Sequence, residues 1–423
     1  MAFLIHRIAF VSDHEPVTPN YVRQDILRLL YGIMLEARHE AVRVNYFIHS
    51  HPRRLFSEAL HRKKFDGVIF ALMGFGAETR KQLKGLARRM PCVACMVRPP
   101  VQGIPYIGTD TRSGYRDQIN RLMGHGLSTF GYIGSFYGKH SIDRFLTVRD
   151  RLRDKGVRLE QQWVPGFSVE TGKPRLLDPR MRAFIKDLPG NNPRIVRILA
   201  ANADRVIGAF LENDSFPDAV LCEYDYFAEH LYLAAAGRGI AIPGKFALTG
   251  FGNERYPFPP HGETFLSTMH EDFTEIGRFF AQAVIHSTPR MNDRPDILLD
   301  PVQIPGLSEY KGKVDPAVAD TVRFSQAVQS VLAEEPDIED PAGVLAIKTH
   351  LSKRYFLQRF KQIYQETFRD FMNDRRLEQA SFMLRNSSEP IIRIALRCGF
   401  NNIQPFNRLF RLKYRTTPTQ YRG

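Results

Sequence analysis

Short apolar runs separated by helix-length amphipathic stretches fill the first three quarters of the chain. Residues 4–12 read as an apolar strand, a polar loop follows to Pro19, and a helix is expected over about 20–38. Strands are expected at Ala41–Ile48, Phe65–Phe70, Cys92–Val97, Tyr106–Gly108 and Thr129–Gly134, with a helix after Asp110. Helices near 142–155 and 193–212, and strands at Asp218–Cys222 and Phe246–Gly250, complete the series. Strands alternating with helices in this way predict parallel sheets of an α/β fold. The alternation occurs twice, over roughly 1–110 and 111–270, which predicts two similar lobes with a cleft between them. Ligands of such sheets bind outside the carboxyl ends of the strands, and the lobes close on them by a hinge.

The last eighty residues follow a different rhythm. Ile391, Ile394 and Ala395 mark one face of a short helix that runs into Gly399. Phe406 and Phe410, one turn apart, mark the buried face of a second. Two short helices joined by a tight turn form a helix-turn-helix, whose second helix enters the DNA major groove. Ser352, Phe356 and Phe360 repeat the theme upstream. The expected recognition helices are 353–364, capped by Ser352, and 403–413, capped by Asn402, with Pro405 tolerated in the first turn. A connecting helix over about 368–384 would span ~25 Å, enough to set the two recognition helices about one DNA turn apart. The outward residues are Arg354, Tyr355, Gln358 and Lys361 on the first helix, and Gln404, Asn407, Arg408 and Arg411 on the second. Gln and Asn suit adenine edges and Arg suits guanine or phosphate, although a solvated face or a phosphate anchor is the alternative for each residue.

These motifs carry a resemblance. Ile391-x-x-Ile-Ala-x-x-x-Gly-Phe400, Phe406-x-Arg-x-Phe410 and Thr417-Pro-x-x-Tyr-Arg422 stand in the order and spacing of the AraC/XylS family of transcription regulators. Arg376-Leu-Glu-x-Ala380, Leu384, Leu345-Ala346 and Leu351-Ser352 fit the same family, with Arg376 expected to be structural. The family's glycines near 365 and 415 are replaced here by Gln365 and Arg415. If those sites need positive φ, each replacement costs about 1 kcal/mol or more.

Upstream, Pro105-Tyr-Ile-Gly-Thr-Asp110, Pro217-Asp-Ala-Val-Leu-Cys222 with Asp225 and Ala228, and Ile242-Pro243 leading to Phe246-Ala-Leu-Thr-Gly250-Phe251 resemble the effector domain of LacI/GalR regulators. That domain is akin to periplasmic sugar-binding proteins. A LacI-like sensor before an AraC-type tail is the architecture of the xylose-responsive XylR group. The resemblance implies a sugar in the cleft, a pentose such as xylose, with Arg144 and Asp225 near it and Asp110 and Tyr21 as further candidates. A surface ion pair or a helix cap is the alternative, and for Asp225 the two stay open. Gly252-Asn253 stands where the family often has two aspartates, and Tyr224 replaces an Asn, so the sugar need not be the same.

Charge adds to the picture. From Pro341 onward sixteen Lys/Arg face five Asp/Glu, a net of +11, against +14 for all 423 residues. An excess gathered in the last fifth is expected of a module that neutralises phosphates. The N-terminal run lacks a basic region and a cleavage site, and no stretch has the eighteen or so apolar residues of a membrane span. A cytoplasmic protein with no membrane partner is expected. The four cysteines include Cys92-x-x-Cys95 inside a strand pattern, with no second pair to complete a metal site, so no metal and no cofactor are expected. No P-loop and no G-x-S-x-G elbow is present, which argues against an enzyme.

The expected architecture is therefore an α/β two-lobed, periplasmic-binding-protein-like sensor over 1–310, a linker at 311–320, and an all-α domain with two helix-turn-helix units over 321–423. Asp315 and Pro316 would start the tail's first helix. The expected function is a non-catalytic, ligand-responsive regulator of transcription. Its partners would be double-stranded DNA, a small-molecule effector, a second copy joined through the N-terminal domain, and RNA polymerase if it activates. The alternatives are a ligand-independent DNA binder with a vestigial sensor and, more remotely, a sugar-processing enzyme.

Overall fold

The structure, a computed structural model, describes residues 5–12, 17–18, 21–22, 24–48, 65–71, 77–95, 101, 104–134, 138–173, 204–213, 215–254, 258, 261, 265–286, 296–334, 338–386 and 389–422. Two compact units divide the chain at Gln329/Ser330.

The first unit is built on two sheets. Strand β1 (Arg7–Ser12) is central to the first, flanked by β4 (Arg43–Ile48) and β5 (Gly67–Ala71), with β6 (Cys92–Cys95) beyond β5. All these pairings are parallel, with Ala9 opposite Asn45 on one side and Val68 on the other. A bridge from Ala94 to Tyr106 leads to β7 (Ile107–Thr109), which pairs in parallel with β12 (Ile297–Leu299). The second sheet has order β10 (Ala247–Thr249), β9 (Ala219–Cys222), β8 (Phe130–Ile133), again parallel. A bridge from Thr249 to Ser267 extends it to β11 (Thr268–His270), which pairs antiparallel with β13 (Val302–Ile304).

Strands buried on both faces read as continuous apolar runs, which is why the α/β class is visible in the sequence. The lobes are nevertheless interleaved rather than consecutive. The chain leaves the first sheet after β7, returns to it after β11, and leaves it again after β12. The segment after 270 therefore belongs to both lobes, which a split at residue 110 does not capture. Helix α1 (Gln24–His39) packs along a helix from this return segment, Phe273–Ile285. A Cβ on Gly32 or Gly277 would overlap the facing helix's backbone at Thr274 and Leu29, so the two glycines permit this close approach.

Local differences from the sequence reading are few. Val17–Thr18 (β2) and Tyr21–Val22 (β3) form a small antiparallel pair, so α1 starts at Gln24 rather than 20. Backbone pairing of this hairpin takes residues that a helical pattern would also accept. Residues 204–211 are helical as expected, while 193–203 and 96–97 lie outside the described residues. Along the chain, α2 (Ala77–Ala87) precedes β6, α3 (Thr111–Gly124) follows β7, α4 (Gly138–Asp154) follows β8 and α5 (Asp225–Ala236) follows β9. The return helix Phe273–Ile285 is then α6. Among the described residues Cys92, Cys222 and Cys398 form no disulfide, and all three are buried, as strand and core residues should be.

Helix α7 (Pro316–Glu334) begins at the predicted Pro316, with Asp315 Oδ1 accepting the Ala317 N–H at 2.8 Å. It passes through the second half of the predicted linker, and the division between the units falls inside it. The segment before it is fastened to the second lobe. The Lys311 Nζ is 2.6 Å from Asp218, the Tyr310 ring lies 4.4 Å from the His125 ring, and buried Glu309 is gripped by Arg121 at 2.7–2.8 Å. Among the described residues no helix is long and apolar enough to cross a membrane.

The second unit continues with α8 (Pro341–Lys348), α9 (Lys353–Tyr364), α10 (Phe368–Asn386), α11 (Ile391–Arg397), α12 (Ile403–Tyr414) and α13 (Pro418–Arg422). Each of α9 and α12 buries two phenylalanines one turn apart, Phe356/Phe360 and Phe406/Phe410. Phe368 closes the first cluster 5.0 Å from Phe360, and Tyr421 closes the second 5.3 Å from Phe410. The buried side of α10, with Leu377, Ala380, Met383 and Leu384, joins the two.

Candidate DNA interface and ligand site

The two helix-turn-helix units are local copies of one another. Each recognition helix starts at a residue whose side chain accepts a backbone N–H: Ser352 from Tyr355 at 3.3 Å, Asn402 from Gln404 at 3.1 Å. Each ends at a residue in the left-handed region, Gln365 (φ 58°, ψ 14°) and Arg415 (φ 58°, ψ 18°). The turn before each recognition helix also needs positive φ, at His350 (55°) and Gly399 (81°). The family's glycine sites at 365 and 415 have therefore kept their backbone shape although the residue has changed.

Burial of the phenylalanines fixes what faces outward. Arg354, Tyr355, Gln358 and Lys361 on α9, and Gln404, Asn407, Arg408 and Arg411 on α12, are all exposed. None of these eight side chains makes a hydrogen bond or ion pair among the described residues. Several neighbouring cations are held instead. Lys353 binds Asp340 at 2.8 Å, Lys413 binds Glu378 at 2.9 Å, and Arg397 binds Glu389 at 3.1 Å. Arg376 is half-buried against the Gly399 turn, and burial lowers its pKa. It braces the second unit instead of joining the outward face.

The polar residues of the candidate ligand site gather where β8, β9, β10 and β11 end. Arg144, fully buried on α4, is the centre. Its Nε donates to His140 Nε2 at 2.8 Å, Nη1 to the Glu223 carbonyl at 3.0 Å, and Nη2 to the Glu271 carboxylate at 3.2 Å. Its Cζ lies over the rings of Tyr224 and Phe251, 4.6 and 4.3 Å from their centroids. Burial alone would lower the Arg144 pKa, but the charges packed around it, the Glu271 and Glu223 carboxylates among them, outweigh it and raise it. Around it, Ser141 Oγ donates to Glu223 at 2.7 Å, and Asn253 Nδ2 lies 3.2 Å from His270 Nδ1.

Of the four residues predicted for the ligand, Arg144 and Asp225 come together at this end of the sheet. Asp225 is wholly buried at the start of α5, where it accepts from Thr268 Oγ1 at 2.6 Å and from the Glu254 N–H at 2.7 Å. It ties the loops after β9 and β10 together, and burial pushes its carboxyl up to about 8. A Cβ on Gly250 would overlap the Asp225 carboxylate, so only glycine fits there. Asp110 caps α3, accepting from the Arg112 and Ser113 N–H groups at 3.0 and 3.4 Å. Tyr21 lies in β3, and its side chain is outside the described residues.

Glu223, Glu271 and His270 were missed by the sequence reading. The available signal was position: Glu223 directly follows β9 and His270–Glu271 ends β11, where this sheet geometry places ligands.

The second unit, with two like helix-turn-helix elements on one connecting helix, has the layout of the double helix-turn-helix class. Comparison with known proteins agrees. A helix-turn-helix domain family matches residues 345–423, and a periplasmic binding protein-like domain family matches 119–308. The regulatory protein SoxS of Escherichia coli K12 is 37% identical over 79 residues, covering 19% of this chain and 74% of SoxS. The chain belongs to the AraC/XylS family of helix-turn-helix regulators. The xylose operon regulatory protein of Escherichia coli K12 is 24% identical over 215 residues, 48% of this chain, and the match spans about half the length (50%) of that relative. A LacI-family regulatory protein from Chloroflexus aggregans superposes with a TM-score of 0.54 at 18% identity, covering 71% of this chain and 98% of that one, and shows the fold of the first unit.

Proposed function

We propose that this chain is a non-catalytic transcription regulator. It binds double-stranded DNA through α9 and α12 and answers to a small polyhydroxylated ligand held between the lobes of the first unit. The observation that carries the reading is the pair of capped, duplicated recognition helices whose eight outward polar side chains have no partner among the described residues. Exposed, unpaired donors on a +11 segment are groups whose bonds are left for phosphates and base edges.

For the ligand, support comes from the site's chemistry and from a relative whose name is xylose operon regulatory protein. A guanidinium over two aromatic rings and bonded to Glu223 and Glu271 offers planar charged groups and aromatic faces, as hydroxyl recognition requires. A pentose such as xylose is the ligand to test first. Asp225 and Asp110 serve this site by holding its loops, and Tyr21 is retained as a direct contact. Dimerisation through the first unit, contact with RNA polymerase and a cytoplasmic location belong to the same proposal.

A second reading, a DNA binder with a vestigial sensor, is favoured by one observation. Nε, Nη1 and Nη2 of Arg144 all bond to the protein already. Selection of bound duplexes from a random pool, with and without monosaccharides, decides between them. The leading reading expects an enriched motif whose affinity changes with one sugar. An enriched motif indifferent to every sugar supports the second, and no enrichment at all defeats both.

A further inference from the structure

The duplication allows the recognition helices to be compared position by position. Ser352 and Asn402 cap, Phe356 and Phe406 then Phe360 and Phe410 are buried, and Gln365 and Arg415 terminate, each pair fifty residues apart. At ~100° per residue, the positions opposite the buried pair are 354 and 358 on α9, and 404 and 408 on α12. These four hold the same two residue types in opposite order. On α9 an Arg (354) precedes a Gln (358), and on α12 a Gln (404) precedes an Arg (408). One turn further on, both helices carry a cation, Lys361 or Arg411. All six side chains are exposed and unpaired among the described residues.

Arg makes its bidentate contact with the O6 and N7 of guanine, whereas Gln makes it with the N6 and N7 of adenine. The first turns of a recognition helix lie nearest the base edges. We propose that the two units read the same two bases in reversed order. Along α9, guanine lies under the first turn and adenine under the second. Along α12, adenine comes first and guanine second. Lys361 and Arg411 contribute to phosphate contact in both. The operator half-site for one chain is then two subsites of equal composition and opposite order, each taken along its own helix. This proposal rests on the DNA-binding reading above.

The test is the paired exchange R354Q/Q358R in the full chain, with DNA selected from a random duplex pool and compared with the native selection. Both side chains are exposed, so a melting curve that matches the native one establishes that the variant folds. The expected result is that the subsite of α9 inverts its guanine–adenine order and the subsite of α12 stays as it was. Native over inverted subsite preference, about ten- to a hundredfold from one bidentate contact, should change sign. An unchanged motif, or an equal loss of affinity for every sequence, overturns the proposal while leaving DNA binding intact. If the native chain enriches no motif, DNA recognition itself has failed and the order falls with it.

Discussion

Gln365 and Arg415 sit where a glycine would cost the native backbone nothing, and replacing them should stabilise the second unit. Both have φ near +58° at the ends of α9 and α12, each donating its N–H to a carbonyl four residues earlier, at 3.0 and 2.9 Å. A side chain in the left-handed region costs about 1–2 kcal/mol relative to glycine. Glycine returns about 0.4–1 kcal/mol of that through the greater freedom of its unfolded chain. The net gain is roughly 0.5–1 kcal/mol per site. Gln365→Gly also loses an exposed bond from Nε2 to the Gln362 carbonyl, a minor term. The sites end different helices and share no hydrogen-bond partner, so the double variant should gain about 1–2 kcal/mol. For a unit of this size that raises the melting temperature by on the order of 5–10 °C. The assay is calorimetric unfolding of the full chain, following the transition assigned to the second unit. Alanine at both sites is the control, since it keeps the positive φ and should gain nothing. Glycine variants that melt no higher than the alanine ones would refute the strain argument.

Three further outcomes follow from the same geometry. Gly399→Ala combines a φ of 81° with a Cβ 3.0 Å from Arg376 Nε, and should cost about 1–2 kcal/mol in the thermal unfolding of the second unit and weaken DNA binding measured by fluorescence anisotropy. Arg144→Met leaves Glu271 buried without its cation and should destabilise the first unit by about 3–5 kcal/mol, read as a lower denaturation midpoint. Asp225 keeps its proton up to about pH 8 when folded and loses it near pH 4 when unfolded, so its contribution to stability is full below pH 4 and declines as pH rises towards 8. The slope is at most ~1.4 kcal/mol per pH unit, and Asp225→Asn should flatten it in a denaturation series across pH 5–8.

The tail was legible because its signals are local. A capping residue, two phenylalanines four apart and a chain reversal lie within fourteen positions, so α9 came out at Lys353–Tyr364 as expected and α12 one residue longer than 403–413. Asp315 and Pro316 likewise placed the start of α7. The candidate ligand site was legible only in part, because its contacts are remote. Arg144 meets Glu223 across 79 positions and Glu271 across 127. Periodicity reports which face of an element is buried, and it carries no information about which loop end meets which in the fold. Asp110 illustrates the same limit, since an aspartate before a helix serves as a cap or as a ligand group with the same local pattern.

The two halves of the tail show how function separates from fold within one sequence. Positions that cap, fill or terminate α9 and α12 hold the same or equivalent residues: Ser/Asn, Phe/Phe, Phe/Phe, Tyr/Tyr, then two non-glycine residues in one strained conformation. The outward positions differ at almost every step, with Tyr355 opposite Pro405 and Leu357 opposite Asn407 as well as the exchanged Arg and Gln. Packing constrains the first set, since a lost ring in either cluster would cost about 3–5 kcal/mol. Exposed residues change stability by no more than about 0.5 kcal/mol, so the second set was free to diverge under another constraint. A pair of equal scaffolds carrying unequal faces is what reading an asymmetric DNA site would require, and under the proposal above the direction of that asymmetry lies in the order of Arg354, Gln358, Gln404 and Arg408.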